Sequence, residues 1–201
     1  QVNVLDKAIH MAVEDLFSAT AFMIENAETL GIDPSNIVVS GSSAGAISVM
    51  QAEYEICNRT AWTAGLPEGF NYAGVMSFAG AILSRKGKVK YAKEPCPTLM
   101  LHGTADELVP YKQIAFFNLG FFGGGKLVER FKKFDCNYNM YHFIDYGHEI
   151  AGSMSTTTDL QFKFLECNVM EGKNRTVETW IEDPNVYKGS GPQSRKELYG
   201  K

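Results

Sequence analysis

Gly41-Ser42-Ser43-Ala44-Gly45 constrains this chain more than any other stretch, because it joins a strand to a helix through small residues alone. Ahead of it, Ile37-Val38-Val39-Ser40 is a short β-branched run, the form of a buried strand. Behind it, Ala46-Ile47-Ser48-Val49-Met50-Gln51-Ala52-Glu53 reads as the opening of a helix. A G-x-S-x-G pattern is common by chance in Gly/Ser-rich loops; the flanking strand and helix turn it into an elbow that can present a serine. So tight a turn strains the serine backbone and predicts no room for bulk at either flank. It should point the Ser43 hydroxyl outward and turn Ser42 away. It should also bring the Ala44 N–H and the helix N-terminus to where negative charge develops on a carbonyl oxygen.

A serine hydroxyl is a weak nucleophile, so it needs a base and a group that orients the base. The histidines are His10, His102, His142 and His148. His10 lies in an amphipathic segment ahead of the elbow and reads as a helix-surface residue. His142, in Tyr141-His142-Phe143-Ile144-Asp145, alternates as a packed or sheet-face residue does. His148 follows in Tyr146-Gly147-His148-Glu149, on a loop opened by glycine just past that strand. Open α/β sheets carry their chemistry on loops after strand C-termini, which makes His148 the candidate base. For the acid, Pro97-Thr98-Leu99-Met100-Leu101 is an apolar strand running into His102-Gly103-Thr104-Ala105-Asp106-Glu107-Leu108-Val109-Pro110. Asp106 stands on the turn beyond it. An aspartate there is also an ordinary turn or cap residue, and Glu107 and Asp145 are rivals. The order Ser43…Asp106…His148 takes one member from each of three strand ends.

These stretches resemble the catalytic half of an α/β-hydrolase of the carboxylesterase and feruloyl/acetyl-esterase type. The likeness rests on Gly31-Ile32-Asp33-Pro34-Ser35-Asn36-Ile37 leading into the elbow, on His102-Gly103-Thr104-Ala105-Asp106 with Val109-Pro110, and on Tyr146-Gly147-His148-Glu149, about residues 6–168 in all. It implies an α/β fold whose mostly parallel sheet has helices on both faces. It further implies ester cleavage through a Ser43–His148–Asp106 triad and an acyl-enzyme, with Ala44 N–H as oxyanion donor and no metal or organic cofactor. Similar esterases act on acetyl and feruloyl decorations of plant polysaccharides and are typically exported by gut bacteria. The implied substrate is therefore a small ester or an acylated oligosaccharide, and the implied location secreted or periplasmic. The same triad serves serine peptidases and thioesterases, and a degenerate domain that binds carbohydrate or a partner chain is a further reading.

The chain departs from that family at its start. Such enzymes place several strands before the elbow and a His-Gly-Gly or similar oxyanion loop after the third. Here 36 residues precede Ile37. Ile9, Val13, Leu16, Phe17, Thr20, Ile24, Ala27 and Leu30 make them one helical stripe, stopped by Gly31 and Pro34. There is no His-Gly-Gly, and Gln1-Val2-Asn3 has neither an initiator methionine nor a signal segment. The expectation is a sheet without its first strands. A missing N-terminal segment or a second chain would then cover the open edge of the elbow strand and supply the second oxyanion donor.

At 201 residues, 45% hydrophobic and 21% charged, the chain carries enough apolar material for one core. A formal charge of −4 and a pI near 5.6 argue against nucleic acid or an anionic membrane surface as the main partner. No apolar run approaches the roughly 20 residues that span a bilayer. Cys57, Cys96, Cys136 and Cys167 lack C-x-x-C spacing, which argues against metal or dithiol chemistry and for buried free thiols; disulfides stay open to an exported protein.

The predicted order is helix 6–30, strand 37–43, helix 44–56, loop 57–71, strand 72–79, loop 80–96, strand 97–103, helices near 111–118 and 125–134, strand 140–146 and helix 156–168. Strands alternating with helices imply a parallel sheet covered on both faces. The catalytic core is drawn at 1–170 and a polar tail at 171–201, where Pro184, Gly189, Ser190, Gly191 and Pro192 point to an extended or weakly ordered segment. Loops 57–71 and 107–125 are expected to form the pocket, with Trp62, Tyr111 and Phe116 as candidate substrate-binding residues. Gly120-Phe121-Phe122-Gly123-Gly124-Gly125-Lys126 fits a phosphate-binding pattern, but Leu127 stands where Ser or Thr must hold Mg²⁺, so it reads as an aromatic loop between helices. Asn58-Arg59-Thr60 and Asn174-Arg175-Thr176 match the glycosylation sequon, a pattern frequent by chance.

Overall fold

The computed structural model describes residues 2–183, 194, 196, 197 and 200. Helix α1 (Val2–Glu25) and the short α2 (Ala27–Leu30) precede β1 (Val38–Ser42), which feeds α3 (Ala44–Asn58). There follow β2 (Gly74–Phe78), β3 (Ala81–Ser84), β4 (Thr98–Gly103), β5 (Gln113–Phe116), β6 (Leu119–Gly123), α4 (Gly124–Phe131), β7 (Tyr138–Phe143), α5 (Thr158–Phe164) and β8 (Val177–Ile181).

Five of the strands form a parallel sheet in the order β1-β2-β4-β7-β8. Alternation along β2, β4 and β7 splits the core in two. Val75, Met100, Tyr138 and Met140 pack toward Ile9, Val13 and Phe17 of α1 and Ile47 and Met50 of α3. Phe78, Leu99, Leu101, Tyr141 and Phe143 pack toward Ile150 and Phe164 on the opposite face. Strands apolar at both parities are what a parallel sheet buried on both faces requires. Each side chain that is 0% exposed, such as Phe78, Leu99 or Phe164, contributes about 1.5–3 kcal/mol by leaving water.

β2 and β4 lie on one side of β1 in sequence order, as expected for strands 72–79 and 97–103. Among the described residues β1 is paired on that edge alone. No helix among them is long and apolar enough to cross a membrane. Cys57, Cys96 and Cys136 are buried free thiols, and Cys167 is a half-buried one.

Two stretches differ from the expected elements. β3, β6 and β5 form a separate antiparallel sheet in that order. The segment 111–118, predicted as a helix, holds β5 and the turn at Phe117-Asn118, where Phe117 has φ 52. The supposed aromatic loop is β6 running into α4, so it has no loop to cradle phosphate. Tertiary pairing overrides local propensity here: Gln51 in α3 donates from Nε2 to Leu83 O (3.2 Å) and accepts from Leu83 N–H (2.9 Å), anchoring β3 as the template for its partners. The second difference is β8, inside the supposed polar tail. Its Val177, Thr179 and Ile181 are half-buried while Glu178 and Trp180 are exposed, so an edge strand reads as polar chain. Pro184, Gly189, Ser190, Gly191 and Pro192 lie outside the described residues.

Candidate active site

The turn after β1 holds its serine in a conformation that L-residues avoid. Ser43 has φ 52 and ψ −115, which costs about 1–3 kcal/mol and persists only where the surroundings impose it. Here they do: Ser43 N–H donates to Phe78 O at 2.9 Å, and Ile47 N–H to Ser43 O at 3.0 Å. A Cβ on Gly41 would stand 2.3 Å from the Gly45 carbonyl, so only glycine fits there. Gly45 has open space around its Cα, and the expected crowding is confined to the Gly41 flank. Ser43 is left half-buried at the start of α3. Ala44 follows it, exposed, in the first helical turn, where N–H groups have no acceptor within the helix.

The loops carrying the other two groups are built against each other. A Cβ on Gly103 would meet Tyr146 O at 2.2 Å and Gly147 O at 2.3 Å, so glycine at the end of β4 is what lets the chain after β7 pass. Three bonds fasten the crossing: Thr104 N–H to Phe143 O, Ala105 N–H to Tyr146 O and Asp145 N–H to Thr104 Oγ1, each 2.9 Å. His148 opens a 3-10 helix, His148–Ser155, and Ser42 Oγ donates to Ala151 O within it at 2.6 Å. The Ser42 hydroxyl is thus spent on a backbone carbonyl. It ties the elbow to the histidine segment.

This scaffold brings three of the sequence-predicted residues into one line. Ser43 Oγ lies 2.8 Å from His148 Nε2, and His148 Nδ1 lies 2.8 Å from Asp106 Oδ2. Asp106 Oδ1 accepts the N–H groups of Leu108 and Val109, both at 2.9 Å. Burial pushes the Asp106 carboxyl up, but the His102 and His148 imidazoles beside it prevail and hold it down at about 2. An ionised carboxylate can only accept, so the proton of His148 sits on Nδ1 and the Nε2 lone pair faces the Ser43 hydroxyl. Asp106, rather than Glu107 or Asp145, meets His148.

The aromatic candidates lie elsewhere. Trp62 follows the C-terminus of α3, and a helix of 15 residues carries the chain about 22 Å from the elbow at ~1.5 Å per residue. There Trp62 stacks on His10 (4.0 Å between rings) with the Arg85 guanidinium 4.6 Å from its ring centre. Phe116 sits at the tip of the β5–β6 hairpin, 74% exposed. That tip is at the end of the antiparallel sheet away from Ala81, which follows β2 and the elbow. Tyr111 is buried, and its hydroxyl lies 2.7 Å from His142 Nδ1 rather than toward Ser43. A groove of about 1150 Å³ borders the acid loop, lined by Asp106, Glu107, Tyr111, Ile144 and Trp180 among others.

Sequence reasoning gave no role to His102. His102 Nε2 lies 3.4 Å from Asp106 Oδ2; the signal was its place four residues before the acid, at the strand's end. Among the described residues no group of three or more His, Cys, Asp or Glu side chains could hold a metal ion. Comparison with protein-family models finds no match, and comparison with curated proteins finds none.

Proposed function

We propose that this chain is a serine hydrolase of carboxylic esters with an α/β-hydrolase-like fold. The observation carrying the reading is the unbroken line from Ser43 Oγ through His148 to Asp106, on loops at the C-terminal ends of three strands of one parallel sheet. Ser43 Oγ attacks the ester carbonyl carbon while its proton passes to His148 Nε2. The carbonyl oxygen takes the negative charge beside Ala44 N–H, at the positive end of α3. Asp106 balances the imidazolium and keeps the ring oriented. Collapse of the adduct expels the alcohol, which takes the Nε2 proton, and leaves an acyl ester on Ser43. Water then attacks that ester with His148 as base; Ser43 Oγ leaves, regains its proton from His148, and the free acid departs.

The preferred substrate in this reading is a small soluble ester, or an acetyl or feruloyl group on plant polysaccharide met by an exported protein. The stretch between α3 and β2 is short, with one turn of 3-10 helix at Ala61–Gly65 in place of a covering domain. The open edge of β1 supports a further proposal. A strand from an additional segment or a second chain pairs there and brings the second oxyanion donor.

Hydrolysis of p-nitrophenyl acetate by the chain and by Ser43→Ala tests the reading. The variant should keep its far-UV circular dichroism and lose about 10³-fold or more in kcat/KM. Peptide p-nitroanilides and acyl thioesters run in parallel separate an esterase from a peptidase or thioesterase. Ester turnover that survives in Ser43→Ala, or a folded chain with none to lose, defeats it, and the second outcome points to a binding domain.

A further inference from the structure

The acid of the proposed triad is itself held by a second histidine. We propose that His102 is the positioning residue for Asp106, fixing the loop and the carboxylate against which His148 is aligned. This inference rests on the Ser43–His148–Asp106 reading.

His102 is the penultimate residue of β4 and is 1% exposed. Its ring is gripped from two sides by backbone. Gly124 N–H, at the start of α4, donates to Nδ1 at 3.3 Å, and Nε2 lies 3.1 Å from Val109 O. A backbone N–H can only donate and a carbonyl can only accept, so Nδ1 is bare and Nε2 carries the hydrogen. Two elements distant in sequence thus select one tautomer. The Nε2–H it selects points into the acid loop, at Val109 O and toward Asp106 Oδ2 at 3.4 Å.

What that hydrogen holds is the machinery of the carboxylate. Val109, whose carbonyl it takes, gives its own N–H to Asp106 Oδ1 at 2.9 Å. Oδ2 is left between two imidazoles, with His148 Nδ1 at 2.8 Å and His102 Nε2 at 3.4 Å. Asp106 is thereby kept ionised in a buried place, with His102 among the groups that hold it down. The arrangement also accounts for a glycine at the start of α4: a Cβ on Gly124 would sit 3.2 Å from His102 Nδ1, tighter than side chains usually pack.

A histidine buried only for packing would satisfy its own nitrogens and leave the triad indifferent to it. Two substitutions separate these roles. In His102→Gln the amide nitrogen takes the place of Nε2 and keeps a donor for Val109 O and Asp106. In His102→Asn the amide oxygen takes the place of Nδ1, keeping the acceptor for Gly124 N–H and leaving the acid loop without its donor. The readouts are kcat and KM on p-nitrophenyl acetate, and the low-field proton NMR signal of His148 Nδ1–H. His102→Gln should stay within about 3-fold of the parent kcat and retain the signal. His102→Asn should fall about 10- to 100-fold in kcat with KM within about 2-fold, the signature of a misplaced catalytic group, and its Nδ1–H signal should move upfield or vanish. An unchanged signal and kcat in folded His102→Asn overturn the proposal, as does damage in His102→Gln equal to that in His102→Asn. If His102→Asn does not fold, His102→Gln carries the test alone: loss of either its kcat or its Nδ1–H signal overturns the proposal. Should the parent chain hydrolyse no ester, the hydrolase reading fails, and the NMR comparison still tests the positioning.

Discussion

Asp106 and Glu53 are hidden from water to nearly the same degree, 6% and 3% exposed, yet the fold drives their carboxyls in opposite directions. Burial pushes both up. At Glu53, in the middle of α3, burial wins. Its Oε1 accepts Cys96 N–H at 2.8 Å and the Cys57 thiol at 3.2 Å, and the Asn71 amide, turned with its nitrogen inward, reaches Oε2 at 3.1 Å. A thiol is a weak donor, burial pushes the Cys57 thiol up as well, and the pull of Lys93 does not outweigh burial at Glu53. At Asp106 two imidazoles and two backbone N–H groups converge, and the carboxyl stays at about 2. Depth is therefore a poor guide to chemistry. The quality of the donors decides which buried carboxyl is held down and can stabilise a cation beside it. Glu53 is a latch, joining α3 to the approach to β4.

Replacing each carboxylate by its amide is the sharpest way to break this comparison. Asp106→Asn should fold and lose about 10³- to 10⁴-fold in kcat/KM on p-nitrophenyl acetate, because an amide nitrogen facing His148 Nδ1 favours the wrong tautomer. Glu53→Gln should stay within about 3-fold, having no path to the reacting atoms. Equal losses in the two variants, with both folded, would erase the distinction between a charge in use and a latch.

How far the sequence revealed these two places differs too, for physical reasons. The elbow and the acid loop were legible because each has a glycine at the close of an apolar strand, and glycine there answers a backbone contact: Gly41 against Gly45, Gly103 against Tyr146 O. Local pattern and tertiary demand coincide at those positions. They part company at Gln113-Ile114-Ala115-Phe116, exposed at every position, whose strand character comes from pairing with β6. They part again at Val177-Glu178-Thr179-Trp180-Ile181, where pairing with β7 and one half-buried face on the Phe164 side of the sheet are enough for an edge. Trp62 and Phe116 were misplaced because an aromatic near a motif in sequence need not be near it in space. The tie made by Ser42 and the role of His102 were not legible because their partners, Ala151 O and Val109 O, are backbone atoms that no residue type announces.

Acid pH offers a second way to sharpen the contrast. The Asp106 carboxyl is lowered in the folded chain from an ordinary 3.8 to about 2. A lowered carboxyl stabilises the fold fully above its unfolded value, and that contribution is lost as pH falls through the window from about 4 to about 2. Its size is about 2 kcal/mol at ~1.4 kcal/mol per pH unit of displacement. Urea denaturation of the chain and of Asp106→Asn, run from about pH 5 downward, should show the variant losing that much less. Parallel curves would mean that the acid sensitivity belongs to other groups and that the charge on Asp106 is not what the fold protects.

Glu53 supplies the smallest effect and the opposite sign. Its carboxyl is raised above the ordinary 4.5. A raised carboxyl contributes stability that is complete below the unfolded value and is lost as pH climbs toward the folded one, so at neutral pH a charged Glu53 burdens the fold. Glu53→Gln removes that burden without unmaking the latch. The amide oxygen still accepts Cys96 N–H and the Cys57 thiol, and the new amide nitrogen donates to Asn71 once that side chain presents its oxygen. Thermal unfolding should put Glu53→Gln about 1 kcal/mol above the parent near pH 7, roughly 2–4 °C in midpoint for a chain of this size. The gap should close as pH falls below about 4.5, where both side chains are neutral. A variant less stable than the parent at neutral pH would show that the charge on Glu53 supports the fold rather than burdening it, with Lys93, a cation acting on it, as the group to replace next. In that event depth and charge would coexist at both places, and the position of His148 would be all that separates them.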